Sequence, residues 1–157
     1  MAEILGEVTD LGRELFPKML GGLLPMQTVS YFKVGEGGWI DPGSGKVRRT
    51  PSAAFTDLDA VLDVSRPLID KRYPADSLAT FQKLFVGGDL TFVAPTTLRC
   101  RCFLDFGEFN NDGFGNSPEI WEVGIFDTDD NMLGYGTVVL QLKDITKQVE
   151  NFFRFVF

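Results

Sequence analysis

The chain has 157 residues, of which 44% are hydrophobic and 24% are charged, a composition typical of one folded domain and not of a disordered chain. Its formal net charge of −7 argues against a nucleic acid or an anionic membrane as the main partner. There is no histidine, which excludes Ser-His-Asp triads, Cys-His dyads and HExxH zinc sites, so we predict a protein that is not an enzyme and holds no cofactor or metal.

The first segment carries apolar residues at helical spacing: Ile4, Val8, Leu11, Leu15 and Met19. Charged residues occupy the other sides of this stripe, and Gly21-Gly22 follows it as a helix stop. The pattern predicts an N-terminal amphipathic helix within residues 1–24, ahead of a single β-rich domain over residues 25–157. An apolar stripe must be buried, either on the chain's own sheet or on a neighbouring subunit, and we take its five residues as candidates for an intersubunit contact.

The same segment lacks the pattern of a secretory leader. Glu3, Glu7 and Asp10 interrupt the place where the apolar core of a signal peptide would lie. No apolar run in the sequence approaches the ~18 residues of a membrane span. We therefore expect a soluble protein that is synthesised in the cytoplasm and has no membrane partner.

The hydrophobic period changes to two after Met26. Residues 27–34 alternate between two faces and stop at Gly35-Glu36-Gly37-Gly38, which predicts a strand followed by a tight bend. The next segment, 39–51, is rich in turn-forming residues and predicts a loop. Two short helices are predicted after it, over residues 56–62 and 76–85.

The second half has the pattern of a β-sheet protein. The predicted strands are Leu90–Ala94, Thr97–Phe106, Ile120–Phe126, Leu133–Leu142 and Asn151–Phe157. Turn-forming residues over Asp127–Asn131 predict a hairpin, and the Gly/Asn-rich segment Gly107–Pro118 predicts a loop. The sequence therefore predicts a mainly β (α+β) fold, a compact β-sandwich-like domain with the N-terminal helix and one or two short helices.

The two cysteines, Cys100 and Cys102, lie two residues apart on a predicted strand. Both side chains then point to the same face, in poor geometry for a disulfide. A lone C-x-C pair without histidine is also not a zinc site. We predict two small, buried, free thiols in a reducing compartment.

One glycine-rich stretch has a partial match to a phosphate-binding loop. Gly43-Ser44-Gly45-Lys46 has the end of a P-loop, but Ile40 stands at the first glycine position and Val47 at the metal-binding hydroxyl position. No helix is predicted after it to hold a phosphate at its N-terminus. We favour a solvated basic loop over a nucleotide site.

The acidic turn has a partial match to a calcium loop. Asp127, Asp129 and Asn131 stand at the first three ligand positions. Met132 replaces the glycine of such loops, and Val138 replaces the bidentate glutamate. A plain hairpin turn is favoured, with a weaker calcium site, joined by Asp105, Glu108 or Asp112, left as the alternative.

Two pairs of carboxylates have the residue types of a glycosidase, Glu119 with Glu122 and Asp105 with Glu108. Such a pair needs carboxyl groups about 5–10 Å apart across a cleft, one of them with a raised pKa. The sequence indicates neither a cleft nor a desolvated acid. We therefore favour ordinary loop and strand-edge carboxylates.

Three segments carry a resemblance to a known family. They are Leu11-Gly12-Arg13 followed by Met26–Trp39, then Arg101–Asn110, and then Glu119–Asp127 followed by Met132–Thr137. In this order they resemble the N-terminal domain of bacteriophage tail-collar fibre proteins and related baseplate proteins of contractile tails. That family has a helix with a Gly-rich element, a strand into a GxGG turn, and an ExGxFDxDGxLxxxGT hairpin. The match is strongest over Glu122–Thr137 and weakest over Asp41–Phe85.

The resemblance implies a role in assembly and no catalytic residues. Domains of this family anchor fibres, spikes or receptor-binding proteins to a baseplate, commonly in rings with three-fold or six-fold symmetry. The chain departs from the family at Asn131-Met132, where a glycine is usual, and at Phe157, where the family continues into a long fibre, so we expect a freestanding connector.

The primary hypothesis is a virion structural protein at the tail or baseplate of a phage or tail-like injection system. It would act as a baseplate or fibre-attachment connector, forming a homo-oligomeric ring and contacting other tail, baseplate or fibre proteins, with no nucleic-acid partner. Closed rings place the same patches on every copy, which suits a small domain with an unpartnered stripe. Trp39 and Phe114, in glycine-rich loops, join the helix stripe as interface candidates.

Two alternatives belong to other classes. A glycan-binding β-sandwich module for host or surface recognition would stack sugars on aromatic rings, with Trp39, Phe109, Phe114 and Trp121 as candidates. A small hydrolase of cell-wall glycans would depend on Glu108 or Glu122. We rank the hydrolase last.

Overall fold

The computed structural model describes residues 2–22, 28–59, 82–110 and 117–156. Eleven strands and one helix follow one another in these segments. In chain order they are β1 Ala2–Glu3, β2 Leu5–Val8, α1 Asp10–Leu20, β3 Val29–Gly35, β4 Trp39–Ile40, β5 Val47–Arg48, β6 Gln82–Leu84, β7 Leu90–Ala94, β8 Thr97–Leu104, β9 Glu119–Asp127, β10 Met132–Leu142 and β11 Val149–Val156. The prediction of a mainly β fold is confirmed.

Two larger sheets and one small hairpin organise these strands. The five-stranded sheet has the order β2-β10-β9-β3-β6, and the four-stranded sheet has the order β1-β11-β8-β7. Strands β4 and β5 form the small pair. All described pairs are antiparallel except β1 with β11, which run parallel.

The two larger sheets share one hydrophobic core. Period-two alternation buries every second side chain of β8 and β11, so that Cys100, Cys102, Phe153 and Phe155 face inward. They form one cluster with residues of the five-stranded sheet, such as Val123 on β9. Both cysteines are free and buried, as predicted.

The structure of the N-terminal segment differs from the single helix that the sequence predicted. Residues 2–8 form two strands, and the helix begins only at Asp10, so the single helix predicted across residues 1–24 is wrong over its first part. Strand β1 joins the four-stranded sheet and β2 joins the five-stranded sheet, so this segment belongs to the β-rich domain and is not a separate unit. Gly6 makes this possible, because a Cβ there would lie 2.6 Å from the Phe153 ring.

Helix α1 is preceded by a capping residue, Thr9, which the apolar stripe did not predict. The Thr9 hydroxyl accepts a hydrogen bond from Gly12 N at 3.0 Å, which satisfies one of the free amides of the first turn. Thr9 N donates to Leu133 O at 2.9 Å and Asp10 N donates to Ala53 O at 2.8 Å. These bonds fix the start of the helix against β10 and the loop after β5.

The two predicted short helices fall mostly outside the described residues. The first, over residues 56–62, is described only to Asp59, and the second, over residues 76–85, only from Gln82. Residues 82–84 form β6 and pair with β3, so the helix prediction is wrong there. Strands β8 and β11 lie within one or two residues of their predicted bounds.

Candidate functional site

Glu122, in the middle of β9, is the centre of a buried polar network. Its Oε2 accepts hydrogen bonds from Asp59 N and from the Tyr135 hydroxyl, both at 2.7 Å. Asp59, also buried, accepts from Gly38 N at 2.9 Å and from Arg49 Nη1 at 2.8 Å. Hydrogen bonds to ionised groups are stronger than neutral ones, so the network ties four separate segments firmly together.

The glycine turn between β3 and β4 closes over this network. A Cβ at Gly35 would collide with Glu122 Oε1, and one at Gly38, whose φ is +85°, would lie 2.9 Å from Glu122 Cβ. Arg49 N donates to Gly38 O at 2.9 Å, and the Thr137 hydroxyl donates to Arg49 O at 2.7 Å. The Gly-Glu-Gly-Gly motif therefore permits close backbone approach to a buried carboxylate.

The network around Glu122 has a structural role, which is to hold the surrounding segments together. Glu122 is fully buried, so its carboxylate cannot contact a polysaccharide. Burial, followed by the charge of Glu122, raises the pKa of the Tyr135 hydroxyl far above its usual range. This hydroxyl therefore stays a proton donor to Glu122 throughout the physiological pH range.

The predicted carboxylate pair Glu119 with Glu122 is not arranged for glycoside hydrolysis. Glu119 binds Lys46 Nζ at 2.9 Å at the protein surface. The hydrogen bond from Lys46 lowers the pKa of Glu119, whereas a general acid needs a raised pKa. One member of the pair is thus buried, and the other is held in its ionised form.

The second pair, Asp105 with Glu108, forms part of a loop. Glu108 Oε2 accepts from Asp105 N at 3.0 Å and binds Lys83, which also donates to Phe103 O at 2.8 Å. Asp105 Oδ1 accepts from Gln148 Nε2 at 2.9 Å, and this bond lowers the pKa of Asp105. Both carboxylates hold the loop after β8 in place.

The acidic segment Asp127–Asn131 is a hairpin turn, as favoured from the sequence. Asp127 Oδ1 accepts from the amides of Asp129 and Asn131, both at 2.9 Å, and its Oδ2 accepts from Asn131 Nδ2 at 3.1 Å. Asp130 has a φ of 62° and accepts from the Tyr31 hydroxyl at 2.7 Å. The Asp127 carboxylate of the would-be calcium loop therefore serves the turn itself.

The segment that partly matches a P-loop also has a local structural role. Asp41 Oδ1 accepts from Gly43 N at 2.8 Å and from Gly45 N at 3.2 Å, which occupies amides that a phosphate would need. Lys46 binds Glu119 and lies 4.6 Å from the centroid of the Trp39 ring. This is the solvated basic loop that the sequence indicated.

Two of the four aromatic candidates for sugar stacking are buried. Phe109 and Trp121 are 2% and 5% exposed, so their assignment as stacking rings is wrong. Trp39 is half-buried, and its Nε1 donates to Glu36 O at 2.8 Å. Phe114 lies outside the described residues.

The apolar stripe predicted at the N-terminus is divided between two environments. Ile4 and Val8 are half-buried and pack against this chain's own core, which is one of the two options that the sequence left open. Leu11 and Leu15 lie half-buried on α1, and Met19 lies in the last turn of that helix. The stripe is therefore not one continuous contact surface.

The sequence did not predict the two partners of Glu122, Asp59 and Tyr135, or the contact of Arg49 with Asp59. Their signal in the sequence is indirect: a glutamate inside the otherwise apolar run Ile120–Phe126 must find buried donors. One of those donors, the Asp59 amide, lies 63 residues from Glu122 in the sequence, and the other, the Tyr135 hydroxyl, lies on the next strand, β10.

Burial should make the two cysteines unreactive in the folded protein. It raises the pKa of the Cys100 thiol to about 12 and that of Cys102 well above its usual range, so neither forms the nucleophilic thiolate at neutral pH. We expect no labelling by a thiol reagent under native conditions and two labels per chain in denaturant, measured by intact mass. Rapid native labelling at either cysteine would contradict the burial of β8.

Comparisons with known proteins gave no match to a family model, to a curated protein or to a solved structure. In the part of the chain that the structure describes, no cluster of three acidic or cysteine side chains is suited to a metal ion. Within the described residues, no helix is long and apolar enough to cross a membrane.

Proposed function

We propose that this protein is a structural component of a phage tail or tail-like injection system. In this role it occupies the baseplate or a fibre attachment point, forms a homo-oligomeric ring, and connects neighbouring tail, baseplate or fibre proteins through its surfaces. The proposal begins from the resemblance of three sequence segments to tail-collar fibre and baseplate proteins. It concerns assembly and assigns no reaction to the chain.

One observation carries the proposal furthest. The GxGG turn meets the hairpin of β9 and β10, where the resemblance is strongest, at Glu122. Asp59 N and the Tyr135 hydroxyl bind the Glu122 carboxylate, and Gly38 N binds Asp59. Motif residues that are remote in sequence thus serve one structural unit, which supports treating them as one family signature and not as separate coincidences.

The exposed side of α1 is the surface that we assign to a neighbouring tail protein. Phe16 and Leu20 are exposed apolar side chains on this helix, and Arg13 and Lys18 lie on the same element. Exposed apolar groups next to charged ones are typical of protein contact sites. The assignment replaces Ile4 and Val8, which pack against the core, with exposed residues of α1.

The proposal is tested by quantitative mass spectrometry of purified particles from the source. We expect a fixed number of copies per particle, in a multiple of three or six, relative to the major tail protein. Absence from purified particles would contradict the proposal. This copy number is measured on the unmodified chain, and it does not depend on which surfaces of the chain form the contacts.

The contact through α1 is tested by Leu20→Glu. Because Leu20 is 71% exposed, a glutamate there should leave the fold unchanged while placing a charge in the proposed contact. We expect about tenfold fewer copies in particles from a complemented null strain, with the same melting midpoint as wild type. Ile145→Glu is the matched control, because Ile145 is 70% exposed and lies between β10 and β11, not on α1. Normal incorporation of the Leu20 variant would contradict the assignment.

A further inference from the structure

The outer face of the four-stranded sheet concentrates positive charge in an acidic protein. Arg99 and Arg101 on β8 and Arg154 on β11 alternate with inward-facing residues, so all three lie on the face turned away from the core. Arg99 and Arg154 are directly opposite each other in the register, and Thr91 on β7 is opposite Arg99. We call Thr91, Arg99 and Arg154 the arginine row.

Several polar groups of the arginine row lack hydrogen-bond or ion-pair partners in the described part of the chain. Arg101 binds Glu150 at 2.7 Å and Asp89 at 3.6 Å, but among the described segments neither Arg99 nor Arg154 has a carboxylate within ion-pair distance. Arg99 Nε and Thr91 Oγ1 are buried atoms without a hydrogen-bond partner in the described structure. Like charges that face each other across two strands are unfavourable, so the row has the chemistry of a site completed by an anion.

The surroundings of the row favour a protein as the source of that anion. The Arg99 guanidinium lies 4.5 Å from the Phe152 ring centroid, and the exposed apolar side chains of Val93 and Val156 flank the row on β7 and β11. Arginine, aromatic and exposed aliphatic groups together are typical of protein interfaces. A nucleic acid or a charged glycan would leave the aliphatic flanks uncovered.

The same chain carries a set of carboxylates whose charge is complementary to that of the row. The segment Asp127–Asn131, here called the acidic tip, presents the exposed residues Asp129 and Asp130. Asp127 holds two backbone amides of the tip, and the Tyr31 hydroxyl holds Asp130, so the tip is ordered before any partner binds. Preordered groups lose little conformational freedom on association.

We propose that the arginine row of one copy binds the acidic tip of a second copy. The row lies on the outer face of the four-stranded sheet, whereas the tip joins β9 to β10 in the five-stranded sheet. A contact between two different patches is head-to-tail, and repetition of such a contact closes into a ring when the rotation permits. The inference rests on the proposed function in that it names the contact between copies in the proposed ring.

Charge reversal tests this contact with the full chain in solution. Sedimentation velocity across a concentration series should show self-association of the wild type, and Arg154→Glu and Asp129→Arg should each raise the dissociation constant about tenfold or more. The double variant, with both reversals, should recover wild-type association, because its charges are again complementary. An equimolar mixture of the two single variants should recover it as well. Lys147→Glu, an exposed substitution with the same charge change, is the matched control and should associate as the wild type does.

Several results would overturn the inference. These are a wild type that stays monomeric at all concentrations, a double variant that stays as weak as the single ones, or an Asp129 variant that associates normally. The row would instead be assigned to an anionic polymer if the wild type does not self-associate but is retained on a polyanion column, and Arg154→Glu is not retained. Self-association together with absence from particles would refute the proposed function and leave this contact standing.

Discussion

Replacing Glu122 with alanine is expected to lower the free energy of unfolding by about 3–5 kcal/mol. The substitution leaves Asp59 N and the Tyr135 hydroxyl without their acceptor inside the protein, and it opens a cavity under the glycine turn. Arg49 and Asp59, which fix the other side of the turn, also lose their support. Urea unfolding followed by tryptophan fluorescence measures the change.

Glu119→Ala is the control for this prediction. Glu119 begins the same strand, but it is half-exposed and its ion pair with Lys46 lies at the surface. Surface pairs of this kind contribute about 0–1 kcal/mol, so we expect a change of no more than that size. Similar losses for the two variants would mean that Glu122 is not the centre of the network.

Gly38→Ala is the second substitution with a large expected effect. It forces a side chain into a φ of +85° and places the new Cβ 2.9 Å from Glu122 Cβ and 3.2 Å from Trp121 O. The backbone strain costs about 1–2 kcal/mol and the overpacking about 1–3 kcal/mol, so we expect a total destabilisation of about 2–5 kcal/mol. Thermal unfolding of the two proteins side by side measures it.

Gly43→Ala separates the backbone strain from the overpacking, the two contributions to the destabilisation expected for Gly38→Ala. Gly43 has a φ of +104°, but a Cβ there meets no atom within 4 Å among the described residues. This variant should show only the backbone part, about 1–2 kcal/mol. Equal effects at both positions would show that the close packing of the turn over Glu122 contributes nothing to stability.

The sequence predicts the β-rich part of the fold well because each signal there is local. In β9, alternation and the Asp127–Asn131 turn together define both the strand and the hairpin to β10. The arginines of β8 and β11 likewise alternate with buried residues. What the sequence does not contain is the register that places Arg99 opposite Arg154, because register depends on which strands become neighbours.

The N-terminus shows where local reasoning fails. Ile4 and Val8 are four residues apart, a spacing that predicts a helix, yet both lie outside α1 and pack against the core. The segment becomes extended because two sheets offer it free edges, and because Gly6 lets the Phe153 ring approach. Such tertiary contacts override helical spacing in a short segment.

The pairing of β1 with β11 also has a consequence for the order in which the protein can fold. Ala2 pairs with Asn151, so β1 has no partner until residue 151 has been synthesised. Until then the cognate edge of β11 does not exist, and closing so long a loop is among the slowest steps of folding. The pairing of β1 with β11 is therefore among the last contacts to form, and the strand edges that stay unpaired until then are open to association with other chains.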